Sequence, residues 1–429
     1  MTLRQPLHHP DPTICGCDSA PGLVPVDQAI ARALELAPRL HGVDLLPTGA
    51  ATGRVLAQDI AAPVPLPLFD NAAMDGYALC LDDLSGPGPW VLPVAGQTRA
   101  GDRPGVIRRG QAQRILTGAP VPDGADAVIA QEQVMRSGGA ISIATAPRPG
   151  QHIRRCGEEI AIGARLLAAG RTIGAREAAA LAAAGLRDVP VTRRLRVAIL
   201  CSGSELVTPG ASLAPGQIWD SNHAMLAAAL DRAWIARIAL PACADDVDAL
   251  CAAVDKAATQ ADIVITTGGV STGDEDHMAR VIARLGGRIA VMKLAMKPGK
   301  PLSVGLLGRA LWLGLPGNPV AAYVTWHVVG QILAGRMAGL TTTGPVKTLA
   351  ALAAPVRHKP GRCEYRPAHI LGHDARGVLQ VACMDGAGAQ QIAQLARADA
   401  LVMIPSEAEQ MACGDLVEVL PLHGMILSG

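Results

Sequence analysis

The chain has 429 residues, half of them hydrophobic, with 17% charged and 2% aromatic side chains and 38 basic against 37 acidic residues. At about 100–200 residues per domain, that length provides two to four domains with cores of their own in a soluble globular chain. The near-zero net charge excludes a nucleic-acid binder that works through a basic face, and ten cysteines without a C-x-x-C pair indicate reduced thiols and a cytoplasmic location.

Residues 1–21 are rich in proline and lack an apolar segment, so they read as a disordered leader and not as a secretory signal or transit peptide. Cys15 and Cys17, with His8 and His9 nearby, carry no weight as a metal site in such a setting. Val26, Ala29, Ile30, Ala33, Leu34 and Leu36 are spaced as one face of a helix that Pro38 ends. Between about 60 and 146 the texture changes to short apolar pieces punctuated by Gly and Pro, which predicts an all-β insert. Helical texture returns at Ala175–Ala184, so the first unit resumes after the insert.

From about 193 the pattern is strand, loop, helix, repeated, through LRVAILC, DIVITTGG and ALWLGLPG. Short continuous apolar strands between amphipathic helices predict a parallel sheet covered on both faces. The uncharged run from Ala310 to Gly335 is long enough to span a bilayer, but P-G-N-P at 316–319 breaks it into a buried strand, a turn and a helix. After about 343 the texture is β again, with D-A-R-G at 374–377 as a hairpin turn. The expected architecture is multidomain α/β plus β. It has a doubly wound α/β domain at 193–342 and a discontinuous helical linker domain at 22–60 and 147–192. A β insert at 61–146 and a barrel-like β domain at 343–429 complete it.

In open α/β sheets ligands bind beyond the carboxyl ends of the strands. Three segments fall there: S-G-S-E-L at 202–206, G-G-V-S-T-G-D-E-D at 268–276 and P-G-N-P at 316–319. Glu205, Asp245, Asp246 and Asp276 would share that edge, and several carboxylates together repel unless a cation lies between them; hard oxygen donors suit Mg²⁺. Acidic residues at 274–276 are equally well explained as complements to a helix dipole. Lys293, Lys297 and Lys300 surround a Pro-Gly turn and are either solvated charge or the counterpart of a phosphate or other oxyanion. No P-loop and no dinucleotide fingerprint occurs. G-V-S-T-G at 269–273 satisfies the nucleophile-elbow pattern, but the acidic residues that follow suit an oxyanion poorly. In the insert, L-F-D-N-A-A-M-D-G-Y-A at 68–78 gathers Asp70 and Asp75 beside the single Phe, and Thr117 stands at a turn.

Taken together, FDNAAMDGYA, RILTGAPVPDGADAV, HIRRCGEEI, VAILCSGSEL, GQIWDSN, ITTGGVSTGDED, KLAMKPGKP and GLPGNPVAA carry a resemblance from about residue 22 to the end. The chain resembles the molybdopterin molybdenumtransferases, the MoeA family, also represented by the E domain of gephyrin. The resemblance implies an enzyme that takes adenylylated molybdopterin and molybdate, releases AMP and leaves molybdenum on the pterin dithiolene with the help of Mg²⁺. It implies a homodimer whose active site is shared between the α/β domain of one chain and the β insert of the other. Transient contact with the molybdopterin adenylyltransferase and with apo-molybdoenzymes is expected, and no nucleic acid or membrane.

By motif position the resemblance places the catalytic residues at Asp75, Thr117, Glu205, Asp245 and Asp276, with Glu205, Asp245 and Asp276 as metal ligands. Substrate-binding positions fall on Gly268, Gly269, Ser271, Lys293, Lys297, Lys300, Pro316, Gly317, Asn318, Pro319 and Arg362. Ser204, Glu159, Ala389 and Asp399 depart from the family pattern, and Ser204 stands where the family usually has another acid. Two other functions share parts of these motifs: a molybdopterin adenylyltransferase, which would not need the N-terminal insert, and a non-catalytic gephyrin-like scaffold.

Overall fold

The strand Leu195–Cys201 is apolar at nearly every position because both of its faces are covered. In the computed structural model, which describes residues 23–269, 277–291, 293–384 and 391–422, its side chains alternate between two cores. Val197, Ile199 and Cys201 join Leu226, Leu230, Val320 and Val324 on one face; Ala198 and Leu200 join Leu250, Val254, Met278 and Val281 on the other. The six-stranded sheet runs Ile235–Ala239, Leu195–Cys201, Ile263–Thr267, Ala310–Leu315, Ser303–Leu307, Arg288–Val291.

The first four strands are parallel, as expected of a doubly wound domain. The last two are antiparallel, which corrects the expectation of a wholly parallel sheet. Leu307 pairs with Ala310, so only Gly308 and Arg309 connect the two strands, and two residues make a hairpin but cannot make a crossover. Gly308 takes the positive φ of 58° that this turn requires.

Helix Val26–Leu36 also docks on this sheet. Its buried stripe of Val26, Ala29 and Ala33 belongs to the same core as Leu195, Val291 and Val304, although the sequence pattern groups it with the linker domain. Small residues along that stripe let the helix lie close to the antiparallel edge, and Val24 bridges Leu294 just ahead of it. The linker unit has a separate core of Ala51, Leu56, Ile60, Ile173, Leu181, Val189 and Val191, built from the helix Ala175–Ala183 and the antiparallel pair Val43–Pro47 and Asp188–Thr192.

The chain leaves this unit and returns to it along paired strands. Ile60–Ala61 pairs with Arg165–Leu167, and Asn71–Ala72 pairs with Ile153–Arg154. Between them the insert folds as a six-stranded sheet in the order Ala127–Ala130, Gly76–Leu79, Ala112–Ile115, Trp90–Thr98, Ala140–Ile143, Val134–Ser137.

At the carboxyl end, Cys363–His373 pairs with both Leu379–Cys383 and Ala400–Ile404. Thr348–Leu352 and Leu416–Pro421 complete a closed ring of five strands around Ala350, Val381, Val402 and Val419. The predicted D-A-R-G turn is present: Asp374 Oδ1 accepts from the N–H groups of Arg376 and Val378, and Gly377 has a φ of 78°.

At the amino end of the sheet Asp262, which is 8% exposed, anchors the segment by which the chain enters the α/β domain from the linker unit. Its carboxylate accepts from both terminal nitrogens of Arg193 at 2.8 and 2.9 Å and from the backbone N–H of Arg196 at 2.8 Å. Burial raises the carboxyl, but the two guanidinium groups more than offset this and hold it down at about 2. No helix among the described residues is long and apolar enough to cross a membrane, in keeping with the turn read at 316–319. The expected leader and Ala389 lie outside the described residues.

Candidate active site at the strand ends of the α/β domain

The three predicted strand-end loops meet. Ser202 N–H donates to the carbonyl of Thr267 at 2.9 Å, carrying the sheet pattern one residue beyond its central strands. Gly268 follows with a φ of 90°, and a Cβ there would lie 2.3 Å from the Ser202 carbonyl oxygen, so only glycine fits. From the other side, a Cβ on Gly317 would lie 3.6 Å from Gly268 Cα. Gly269, with a φ of 65°, continues the same loop. Ser271 and Asp276, along with Asp274 and Glu275, lie outside the described residues.

A fourth loop joins through the bridge between Ser202 and Cys243. Cys243 N–H donates to the Cys201 carbonyl at 2.9 Å, and Gly203 N–H donates to the Cys243 carbonyl at 3.1 Å. Glu205 and Asp245 therefore sit on adjoining loops, both exposed. Ser204, standing where the family usually has an acid, accepts from the Asp245 N–H through its hydroxyl at 3.4 Å and so links the two loops. Asp246 instead caps helix Val247–Gln260, accepting from Ala249 N–H at 2.8 Å. Among the described residues neither Glu205 nor Asp245 forms an ion pair with Lys or Arg. Their exposed hard oxygens fit a divalent cation such as Mg²⁺.

Asn222 pins the P-G-N-P turn by donating its Nδ2 to the Gly317 carbonyl at 2.7 Å. Pro316 is buried at the end of its strand, Gly317 and Asn318 are exposed, and Pro319 opens helix Pro319–Thr325. Sequence reasoning did not single out Asn222. The signal was its place in D-S-N at 220–222, where Asp220 caps helix Ser221–Ala229 and fixes the residues after it.

The lysine segment packs on helix Pro319–Thr325: Gly299, with a φ of 111°, places its would-be Cβ 2.5 Å from Thr325 Oγ1. Lys293 is exposed and Lys300 is half-buried. Met296–Lys297 forms a parallel pair with Cys363 and Glu364 of the barrel, which sets Arg362 beside the lysine segment. Lys297 Nζ lies 3.1 Å from Glu364 Oε1, an interaction that spacing alone did not indicate. Glu364, 4% exposed, also meets Arg366 at 3.0 Å; burial raises its carboxyl, but Arg366 and Lys297 hold it below the usual range.

On the insert, the two expected residues are in contact. Asp75 Oδ1 accepts from the hydroxyl and the backbone N–H of Thr117, and these bonds, the hydroxyl one foremost, hold the carboxyl below its ordinary value. Asp70 is bound separately by Arg155 at 2.6 Å and by Cys156 N–H at 2.7 Å. Leu68, Phe69 and Met74, which flank these acids, are 54%, 46% and 41% exposed. The insert and the α/β sheet have separate cores.

Comparison with known proteins agrees along the chain. Residues 24–185 match the MoeA N-terminal region (domain I and II), residues 198–335 a probable molybdopterin binding domain, and residues 350–422 the MoeA C-terminal region (domain IV). The curated molybdopterin molybdenumtransferase 2 of Mycobacterium tuberculosis (strain ATCC 25618 / H37Rv) is 37% identical over 386 residues, covering 88% of this chain and 94% of that protein. The molybdopterin molybdenumtransferase of Haemophilus influenzae is 33% identical over 94% of this chain and its own full length. A crystal structure of a molybdopterin biosynthesis MoeA protein from Pyrococcus horikosii superposes with a TM-score of 0.78 at 32% identity, covering 94% of this chain and 100% of that one. The chain belongs to the MoeA family.

Proposed function

We propose that this chain is a molybdopterin molybdenumtransferase, an enzyme of molybdenum cofactor biosynthesis. It takes adenylylated molybdopterin and molybdate, releases AMP and leaves molybdenum on the pterin dithiolene. The observation that carries this reading is the convergence of the strand-end loops 202–206, 243–246, 268–269 and 316–319 in a chain matched along its length by relatives of that name.

In this reading Glu205 and Asp245, together with Asp276, hold Mg²⁺ at the diphosphate. When bound, the cation lowers the charge on the scissile linkage and stabilises the oxygens that gain charge. Gly268, Gly269 and Ser271 bring backbone close to the pterin phosphate on one side, and Pro316, Gly317, Asn318 and Pro319 do so on the other. Lys293, Lys297, Lys300 and Arg362 supply positive charge for that phosphate or for molybdate. Asp75, kept ionised by Thr117, orients the water, molybdate or nucleotide.

Asp75 and Thr117 act on a partner protomer, so each pocket of the homodimer draws on two chains. In support, Leu68, Phe69 and Met74 leave an apolar surface beside Asp75 in the single chain. The enzyme works in the cytoplasm, in transient contact with the adenylyltransferase that supplies its substrate and with the apo-molybdoenzymes that take its product.

The test is incubation of the purified chain with adenylylated molybdopterin, Mg²⁺ and molybdate. Release of AMP only when molybdate is present supports the reading. Formation of adenylylated pterin in a parallel incubation with molybdopterin and ATP, or no turnover in either incubation, contradicts it in favour of an adenylyltransferase or a scaffold.

A further inference from the structure

Beneath the strand-end loops, on the face of the sheet covered by helix Ser221–Ala229, three different ligand types converge. Cys201 Sγ, a carboxylate oxygen of Asp220 and an imidazole nitrogen of His223 all lie within 4.8 Å of one another. Local structure brings them there. Cys201 ends its strand on the same face as Val197 and Ile199; Asp220 caps the helix by accepting from the His223 N–H at 2.9 Å; and His223 lies in the first turn above that cap.

Burial distinguishes this cluster from the exposed carboxylates of the site above. It is interior: Cys201 is 1% and Asp220 is 7% exposed, and His223 is half-buried. Moreover, Asp220 is a buried carboxylate that no Lys or Arg among the described residues neutralises, and burying such a charge is costly unless a cation balances it.

We propose that Cys201, Asp220 and His223 form a binding site for a divalent cation of the zinc class, distinct from the Mg²⁺ position at Glu205 and Asp245. Thiolate, imidazole and carboxylate together suit Zn²⁺ and not Mg²⁺. One thiolate and one carboxylate cancel the charge of the cation, so the occupied site is neutral in its buried surroundings. Tetrahedral bonds of about 2.0–2.3 Å place ligand atoms roughly 3.3–3.8 Å apart, a spacing within reach of atoms that lie no more than 4.8 Å from one another. Three protein ligands leave a fourth position for water. Binding exchanges the thiol proton for the metal, and that proton goes to solvent. Ser202 directly follows one ligand, and Asn222, which holds the P-G-N-P turn, lies between the other two. A bound cation therefore ties together the bases of two loops of the candidate active site.

The test uses the full-length protein, stripped with a chelator and titrated with Co²⁺ in the presence of excess Mg²⁺. The expected result is one equivalent bound with a thiolate-to-cobalt charge-transfer band in the near ultraviolet. Cys201→Ser abolishes the band, and His223→Ala weakens binding by about tenfold or more. Zn²⁺ raises the thermal midpoint of the parent protein above its own metal-free value but leaves that of Cys201→Ser unchanged, while the two metal-free proteins share circular dichroism spectra. Absence of the band in the parent, or its persistence in Cys201→Ser, overturns the proposal and leaves the thiol as a hydrogen-bonding partner of Asp220.

Discussion

Thr117 donates twice to a single oxygen of Asp75, through its hydroxyl at 2.7 Å and its backbone N–H at 2.8 Å. The hydroxyl is the larger of the influences that hold the Asp75 carboxyl below its ordinary value. Thr117→Val removes it and leaves the backbone bond. The folded pKa of Asp75 then moves up toward the ordinary range, so the acid limb of the AMP-release pH profile shifts to higher pH. Asp75→Asn removes the ionisable group and lowers kcat by about a hundredfold or more, with unchanged circular dichroism. A Thr117→Val profile that overlays the parent profile contradicts the role given to this pair.

Glu205 and Asp245 are paired with no cationic side chain among the described residues, so their substitution tests metal affinity directly. Glu205→Gln and Asp245→Asn are each expected to raise the Mg²⁺ concentration for half-maximal AMP release by about tenfold or more, and excess chelator abolishes release. Activity titrated against Mg²⁺ checks this; an unchanged requirement in both variants removes these residues from the metal site.

Gly268 has a φ of 90° and no room for a Cβ beside the Ser202 carbonyl. Gly268→Ala combines backbone strain with a steric conflict against backbone and is expected to cost about 2 kcal/mol of stability. The rearranged loop lowers kcat/KM in the fraction that remains folded. Gly308→Ala, whose added Cβ meets nothing within 4 Å, is the control: it shares the strained φ but leaves turnover unchanged.

Asp262 provides a pH test of stability. Its folded pKa of about 2 lies below the unfolded value, so its contribution is fully present above the ordinary carboxylate range and is lost as pH falls through about 2. Asp262→Asn leaves Arg193 and Arg196 without their shared anion and costs about 3 kcal/mol at neutral pH. Denaturant midpoints across the acid range should converge for parent and variant as pH approaches 2; a constant difference contradicts the assignment.

Much of this organisation is legible in the sequence because it is local. The continuous apolar run of Leu195–Cys201, the Gly-rich segment after Thr267 and the Pro-flanked turn at 316–319 each announce a covered strand followed by a ligand-facing loop. Asp374 and Gly377 likewise mark their hairpin. Contacts between distant segments are not written in this way. The two-residue connection at Gly308 and Arg309 reverses a strand that its apolar pattern alone assigns to a parallel sheet. Helix Val26–Leu36 has the stripe of any amphipathic helix, and the stripe does not say which sheet it covers. Lys297 and Glu364 are distant in the chain and meet only because Met296–Lys297 adds a strand to the barrel. Cys201 and Asp220 belong to two separate motifs and His223 follows the second, and only the folded helix cap brings the three together.

The most direct test of the shared pocket is a purified heterodimer carrying Asp75→Asn in one protomer and Glu205→Gln in the other, assayed for molybdate-dependent AMP release. If each pocket combines the insert of one chain with the α/β domain of its partner, one pocket receives both substitutions and the other receives neither. At limiting Mg²⁺ the heterodimer then recovers about half of the parent rate, although each homodimeric variant is nearly inactive. A heterodimer as inactive as its parents would place Asp75 and Glu205 in the same protomer's site and contradict the account.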